Sequence, residues 1–358
     1  MDQKRYTDFD LLRALIIISA FILHYDQRIG LGVIATPSLF ISRYIFTVGG
    51  GFFFVAGYMA RKVYLPKFEK DAKKISTRIF FKGLKILIIF LSYLFLMRVF
   101  TCTNIPDNFM AFIFDHTLAM RILFTFSLLF MLTPIILYFA SNHNKTFVAM
   151  AIAMFVFVIF YNKDWPISFE IKKIFIDRTL FAYPLIPALV VYAFGYMAGI
   201  VDKQFLSKLS RVQFSIISVV LICAYAILWH FGFIRNWKCF TLIESITPYI
   251  SILIIRQMLS WASVKKHLLH PNVLCIGINS LSFYVISNIL LMLLHLNHHS
   301  PLTPKLIAFV AVGAIAYLFT YWHNNSSLYL HSLAMRSTGQ QGDSGCKKQR
   351  TEHLGKLD

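Results

Sequence analysis

The chain has 358 residues, of which 58% are hydrophobic and 14% are charged, and its mean hydropathy is +0.65. A soluble domain has about 25% charged residues, so the composition excludes a soluble globular protein and indicates a polytopic α-helical membrane protein. The net charge of +19 reflects 35 Lys and Arg against 16 Asp and Glu. Because the basic residues lie mostly between apolar segments, we attribute this charge to membrane topology and to contact with anionic membrane lipids, and we expect no nucleic-acid partner.

Apolar runs of about 20 residues, the length that crosses a bilayer, predict an all-α bundle of about ten transmembrane spans. The runs lie near 8–25, 38–60, 79–98, 118–140, 146–161, 180–201, 212–231, 240–261, 273–296 and 304–323. Lys and Arg are more frequent in the loops that are cytoplasmic if the N-terminus is cytoplasmic, so the positive-inside rule places both termini in the cytoplasm. We therefore predict a membrane domain at 1–330 and a disordered cytoplasmic tail at 331–358.

The first span contains two costly polar residues, Arg13 and His24, in an otherwise apolar run. An ionised arginine inside a bilayer requires a partner, a ligand or access to the interface. Eleven residues separate the two along the helix, which places them within about 20° of the same face and roughly 16 Å apart along the axis. Asp10 precedes Arg13 by three residues and is expected to pair with it across one turn. The alternative is an interfacial anchor formed by Asp10 and Arg13, with His24 at the outer helix end.

The second span contains a group of glycines, and basic residues lie at the cytoplasmic ends of the second and third spans. Glycines at 49–51 and at 57 permit close approach by a neighbouring helix or by a ligand. Basic residues then follow at the cytoplasmic ends of the two spans, where they are candidates for binding phosphate groups: Arg61, Arg78, Lys82 and Lys85. Ordinary positive-inside flanking explains Arg61 equally well.

The outer ends of later spans supply candidate substrate contacts. Glu244, near the outer end of the eighth span, is a candidate for orienting His24 or an acceptor, with a solvated helix end as the alternative. Asp177 and Arg178 precede the sixth span and are candidate sugar contacts, with local pairing as the alternative. The histidines at 295, 298 and 299 lack the carboxylate or thiolate partners of a typical metal site, so we predict no metal; they are interpreted as ordinary loop residues, with contact to the acceptor as the alternative.

The ordered motifs resemble those of the acyltransferase-3 family of integral membrane O-acyltransferases. The pattern D-x-x-R-x10-H begins at Asp10, and G-x-x-F-F-x-x-x-G follows in the second span. Segments similar to later family signatures lie at 78–85, 122–136, 183–199 and 276–288, so the resemblance covers about residues 8–323. Three positions depart from the family pattern: Ala56 replaces a common Ser, Phe124 stands near a frequent Trp, and Ser287 replaces a His found in many members.

The resemblance implies transfer of an acyl group, commonly acetyl from acetyl-CoA, to a sugar hydroxyl at the outer face of the bacterial inner membrane. It implies that Arg13 lies in the acyl-CoA channel and that His24 is the catalytic base. The implied acceptor is a lipid-linked or nascent surface polysaccharide, such as the O-antigen of lipopolysaccharide. A transporter or flippase of glycan precursors and a non-catalytic membrane scaffold are the competing hypotheses, and the absence of an internal sequence repeat weakens the first.

Overall fold

The computed structural model describes residues 6–32, 44–45, 47–101, 121–161, 164–177, 183–204, 210–230, 237–294 and 299–337. This part of the chain is helical and contains no strand. The helices are α1 (Thr7–Ile29), α2 (Gly51–Met59), α3 (Leu65–Phe68), α4 (Ala72–Thr101), α5 (Arg121–Asn142), α6 (Asn144–Phe160), α7 (Phe169–Ile171), α8 (Leu185–Gln204), α9 (Arg211–His230), α10 (Trp237–Leu259), α11 (Ala262–Leu268), α12 (Pro271–Ile278), α13 (Ser280–Leu293) and α14 (Leu302–Ser337). Short π-helical segments follow α2 and α7, at Ala60–Tyr64 and Lys172–Ile176.

Five of these helices are long and apolar enough to cross a membrane, namely α4, α5, α8, α10 and α14. The α12–α13 pair adds a sixth if the two helices form one span, although they are bent by 79° where they meet. The structure therefore agrees with an all-α membrane protein, whereas about ten spans and cytoplasmic termini stay predictions. Helix α1 is long enough to span but has charged residues near both ends, and α6 and α9 have shorter apolar stretches.

The contacts between helices define their relative directions. Contacts between α1 and α13 advance along both helices in the same order, so these two helices are parallel. Contacts of α1 with α2, α10 and α14 advance in the opposite order, so α1 is antiparallel to each of them. These directions place the beginning of α1 beside the end of α10, and the end of α1 beside the end of α13.

Helices α2 and α8 approach each other through a reciprocal pair of glycines. Gly57 of α2 lies against the backbone carbonyl of Tyr192, and Gly195 of α8 lies against the backbone carbonyl of Phe54. A side chain at either glycine would collide with the facing backbone. The close approach expected for Gly57 is therefore an approach between two helices.

Large apolar side chains divide between a buried core and an exposed outer surface. Phe9, Phe53 and Phe90 are fully buried between helices. Phe81 and Ile88 of α4 are by contrast exposed, as are many apolar residues of α9 and α14. An exposed apolar surface of this kind fits contact with lipid rather than with water.

The last helix continues beyond the predicted end of the membrane domain. Helix α14 reaches Ser337, whereas the sequence placed the boundary at residue 330. The rest of the predicted tail, 338–358, lies outside the described residues.

Candidate functional site

The inner part of the candidate site is the ion pair between Asp10 and Arg13. Arg13 Nη1 donates to Asp10 Oδ1 at 3.2 Å, as the three-residue spacing predicted. The Asp10 side chain is buried, whereas 29% of the Arg13 side chain is exposed. Gly277 of α12 lies against the backbone carbonyl of Asp10, so α12 packs directly on this turn of α1. The pair thus presents a partly accessible guanidinium on a firmly packed helix.

The outer part of the site is a contact between His24 and Tyr284 of α13. His24 Nε2 and Tyr284 Oη are 3.1 Å apart and form a hydrogen bond whose direction depends on the histidine tautomer. Tyr284 is 3% exposed, and His24 is only partly buried. A histidine with one nitrogen held by a buried phenol keeps its second nitrogen for another partner.

The α12–α13 unit contacts α1 at both levels of the site. Gly277 meets α1 at Asp10, and Tyr284 meets α1 at His24. Near the end of α1, Arg28 Nη2 donates to the backbone carbonyl of Met292 at 3.4 Å. We call this line of contact the α1–α13 seam. Arg13 and His24 both belong to the helix that forms one side of the seam.

One of the three positions that depart from the pattern of the similar family, Ser287, lies on α13. Ser287, which stands where many family members have His, is fully buried and donates its hydroxyl to the Tyr284 backbone carbonyl at 3.1 Å. Its hydrogen bond is made within its own helix. The polar group that accompanies His24 in this protein is therefore the phenol of Tyr284.

The four cations predicted to bind phosphate are divided between α4 and the π-helical segment after α2. Arg61 Nη1 donates to Tyr196 Oη at 3.4 Å, and its guanidinium lies 5.6 Å from the centre of that ring. Lys82 lies 4.9 Å from the centre of the Phe130 ring. Arg78 and Lys85 are exposed, as is Lys82. Arg61 and Lys82 thus contact aromatic rings on different helices, and a shared phosphate site stays a prediction.

The acidic residues predicted near the outer face are buried where the structure describes them. Glu244 is 0% exposed and lies against Gly50, so it is not a solvated helix end. Asp177 is 2% exposed at the end of the π-helical segment after α7. Arg178 lies outside the described residues, as do His295 and His298.

Glu244 belongs to a polar stripe of α10. Thr247 and Ser251 follow it at helical spacing and are also buried. Thr247 donates to Tyr225 Oη at 3.1 Å, and the Ser251 and Tyr44 hydroxyls are 2.6 Å apart. Among the described residues, no group of three or more His, Cys, Asp or Glu side chains is placed to hold a metal ion.

A charge cluster near the beginning of α1, in which Asp202 is buried and Arg256 and Asp8 are partly buried, was not identified from the sequence. Arg256 of α10 donates through Nε to Asp8 at 2.8 Å and through Nη1 and Nη2 to Asp202 of α8 at 2.9 and 2.7 Å. Tyr58 of α2 also donates to Asp202. We call these four residues the Arg256 cluster. Its signal in the sequence was Arg256 itself, which interrupts an apolar run just as Arg13 does.

The geometry defines a helical membrane protein in which one of two parallel helices carries an arginine paired with Asp10 and a histidine that contacts the other helix. A scan against protein-family models matched no family, and a search of curated proteins returned no relative. The resemblance to the acyltransferase-3 family therefore rests on the ordered motifs.

Proposed function

We propose that the protein is a membrane O-acyltransferase that transfers an acyl group, with acetyl expected, from cytoplasmic acyl-CoA to a surface-glycan hydroxyl. The acceptor class is bacterial surface polysaccharide, such as lipopolysaccharide O-antigen, at the outer face of the inner membrane. The observation that carries the proposal is the placement of Arg13 and His24 on the helix that forms one side of the seam, with His24 held by Tyr284 at 3.1 Å. The order of the family-like motifs supports the same reaction.

The donor enters this scheme from the cytoplasmic side. The partly exposed Arg13 guanidinium is suited to a donor oxygen because it stays charged and donates in a fork. The phosphates of acyl-CoA would be held by exposed or partly exposed cations at the same end: Arg61, Arg78, Lys82 and Lys85. The pantetheine arm would then extend along the seam, over the roughly 16 Å of helix axis between Arg13 and His24.

We assign the base role to Nδ1 of His24, the ring nitrogen that does not contact Tyr284. When His24 Nε2 carries the proton and donates to Tyr284 Oη, Nδ1 has the free lone pair. Nδ1 then accepts the proton of the acceptor hydroxyl as its oxygen attacks the thioester carbonyl carbon. The carbon–sulfur bond breaks, and His24 returns the proton to the leaving thiolate. A covalent acyl-histidine is a variant of this scheme.

The proposal is tested in a strain that lacks the gene and is complemented with wild type, His24→Ala or Arg13→Ala. We expect each variant to restore less surface-glycan O-acetylation than the wild-type gene does. For His24→Ala, purified protein should show a loss of about 10²–10⁴-fold in rate, the usual contribution of a general base. Replacement of the exposed His143 by Ala is the matched control, because it removes a histidine from the turn before α6.

The outcomes distinguish the competing functions. Wild-type acetylation by His24→Ala, present at normal abundance, would refute the assignment of the base. If deletion of the gene removes the surface polymer itself, a flippase or transporter replaces the acyltransferase. If deletion leaves both the polymer and its acetyl groups intact, in a strain without a redundant enzyme, this acceptor class is wrong.

A further inference from the structure

Arg28, near the end of α1, is a partly buried cation that the described part of the chain leaves without an acidic partner. Its Nη2 donates to the backbone carbonyl of Met292 on α13 at 3.4 Å, and this is its one hydrogen bond to the described residues. Asp26, the nearest acid along α1, lies two residues away, and residues at that spacing do not face each other on a helix. A partly buried guanidinium whose charge no side chain balances is a candidate site for an anionic ligand.

The position of Arg28 relative to His24 is fixed by contacts of both residues with α13. Arg28 follows His24 by four residues, so the two lie on nearly the same face of α1, about 6 Å apart along its axis. His24 contacts Tyr284 at 3.1 Å, and Arg28 contacts the Met292 carbonyl at 3.4 Å. Tyr284 and Met292 are eight residues apart, about 12 Å along α13. The guanidinium therefore lies about 6–12 Å beyond the proposed base along the α1–α13 seam.

A role as a helix cap accounts for only part of the Arg28 side chain. A cation near the carboxyl end of a helix stabilises its last carbonyls, and Met292 belongs to the last turn of α13. Lys305 has the same role at the end of α1, since its Nζ donates to the Gly30 carbonyl at 3.0 Å. Lys305 is only 5% exposed, whereas Arg28 is more accessible and commits one of its five N–H donors to Met292. Arg28 thus keeps a fork of donors for a ligand.

We propose that Arg28 binds an anionic group of the acceptor, a carboxylate of an acidic sugar or a phosphate of the lipid that carries the glycan, while His24 contacts the hydroxyl to be acylated. This inference rests on the proposed acyltransferase function, and it defines the acceptor as an anionic glycan. A guanidinium suits both groups, because its planar fork donates two parallel hydrogen bonds to a carboxylate or a phosphate. Since Arg13 and Arg28 lie on opposite sides of His24 along α1, the donor and the acceptor are held from opposite directions.

The test measures steady-state acyl transfer by the full-length protein in detergent, with acetyl-CoA as donor and lipopolysaccharide from the gene-deleted strain as acceptor. Arg28→Gln removes the charge but keeps an N–H donor for the Met292 carbonyl. We expect its acceptor KM to rise about 10- to 100-fold, through the loss of charge-assisted hydrogen bonds, with kcat and the acetyl-CoA KM nearly unchanged. Arg28→Lys should regain part of the affinity, because it restores the charge without the fork. The matched control is Lys305→Gln, which removes the cation that caps α1 and should leave the acceptor KM unchanged.

Two altered acceptors identify the source of the negative charge. In one, the sugar carboxyl groups are reduced to alcohols; in the other, mild acid has removed the phosphate-bearing lipid. We expect one of these changes to raise the wild-type KM to that of Arg28→Gln and to leave the KM of Arg28→Gln itself unaffected. The ligand is a carboxylate if reduction has this effect, and a phosphate if removal of the lipid has it.

Each other result overturns a defined part of the inference. A wild-type acceptor KM in Arg28→Gln refutes the contact between Arg28 and the acceptor. A KM ratio of Arg28→Gln to wild type that is equally high for all three acceptors refutes the anionic ligand and assigns Arg28 to a neutral sugar group. Equal KM changes in Arg28→Gln and Lys305→Gln, with lowered unfolding midpoints, make both cations helix caps only. Absence of acyl transfer by the wild-type protein to any of the acceptors refutes the proposed function and this inference with it.

Discussion

Replacement of Arg256 by Gln tests whether the Arg256 cluster stabilises the bundle. The guanidinium reaches two carboxylates on different helices, Asp8 at 2.8 Å and Asp202 at 2.9 and 2.7 Å. The side chains are 23% exposed for Arg256, 17% for Asp8 and 7% for Asp202. The cluster is therefore mostly shielded from solvent, and it joins α1, α8 and α10 at one end.

The expected loss in the free energy of unfolding for Arg256→Gln follows from the groups that the substitution leaves without partners. Three charge-assisted hydrogen bonds are lost, and two largely buried carboxylates face each other without their cation. Removing one member of such a buried ionic group costs about 3–5 kcal/mol of the free energy of unfolding. Arg256→Lys keeps the charge but loses the two-pronged contact with Asp202, so we expect a smaller loss of about 1–3 kcal/mol.

The assay is equilibrium unfolding in mixed detergent micelles, repeated with Asp202→Asn in a double-mutant cycle. We expect Arg256→Gln to cost less in the Asp202→Asn background, with a coupling free energy of about 1–3 kcal/mol. Lys265→Gln on α11 is the control, since that lysine is exposed. A loss below about 1 kcal/mol for Arg256→Gln, additive with Asp202→Asn, would refute a stabilising role for the cluster.

Two further substitutions test other contacts of the fold and of the seam. For Tyr284→Phe we expect kcat to fall about fivefold with KM unchanged, because His24 loses one neutral hydrogen bond worth about 1 kcal/mol, and the free energy of unfolding to fall by no more than that amount; a kcat equal to wild type would contradict the positioning role. For Gly195→Ala the new Cβ would lie 2.7 Å from the Phe54 carbonyl carbon, so we expect a loss of about 1–3 kcal/mol in the free energy of unfolding. Gly313→Ala on α14 is the matched control, because its nearest neighbour would lie at 3.6 Å; equal stability changes for the two glycines would refute close packing of α2 on α8.

The features predictable from sequence were those set by local spacing. The Asp10–Arg13 pair follows from a separation of three residues on one helix, and the structure confirms it at 3.2 Å. The helical class followed from composition and run length. The contact between His24 and Tyr284 joins residues 260 positions apart. Only the packing of α13 on α1 creates it, and neither the length nor the periodicity of either helix encodes that packing.

Arg256 shows a different limit of sequence reasoning. An arginine inside an apolar run is costly wherever it occurs, so a partner for Arg256 was as predictable as a partner for Arg13. The identity of that partner was not. Asp8 and Asp202 lie on two other helices, and their distances from Arg256 depend on the directions and heights of three helices in the bundle. A charge in a span indicates that a cluster exists, and tertiary packing selects its members.

The break between α12 and α13 links the fold to the proposed reaction. The sequence predicted one span at 273–296, whereas the structure has two helices that meet at 79°. A break leaves backbone groups that lipid does not satisfy, so at membrane depth it is tolerated only against protein or a water-lined cavity. Here α12 contacts α1 at Asp10 and α13 contacts it at His24, so the break lies between the two levels of the site. In the proposed reaction the acyl donor would pass this break on its way from Arg13 to His24, and the contacts of α12 and α13 with α1 on both sides of the break place it against protein rather than lipid.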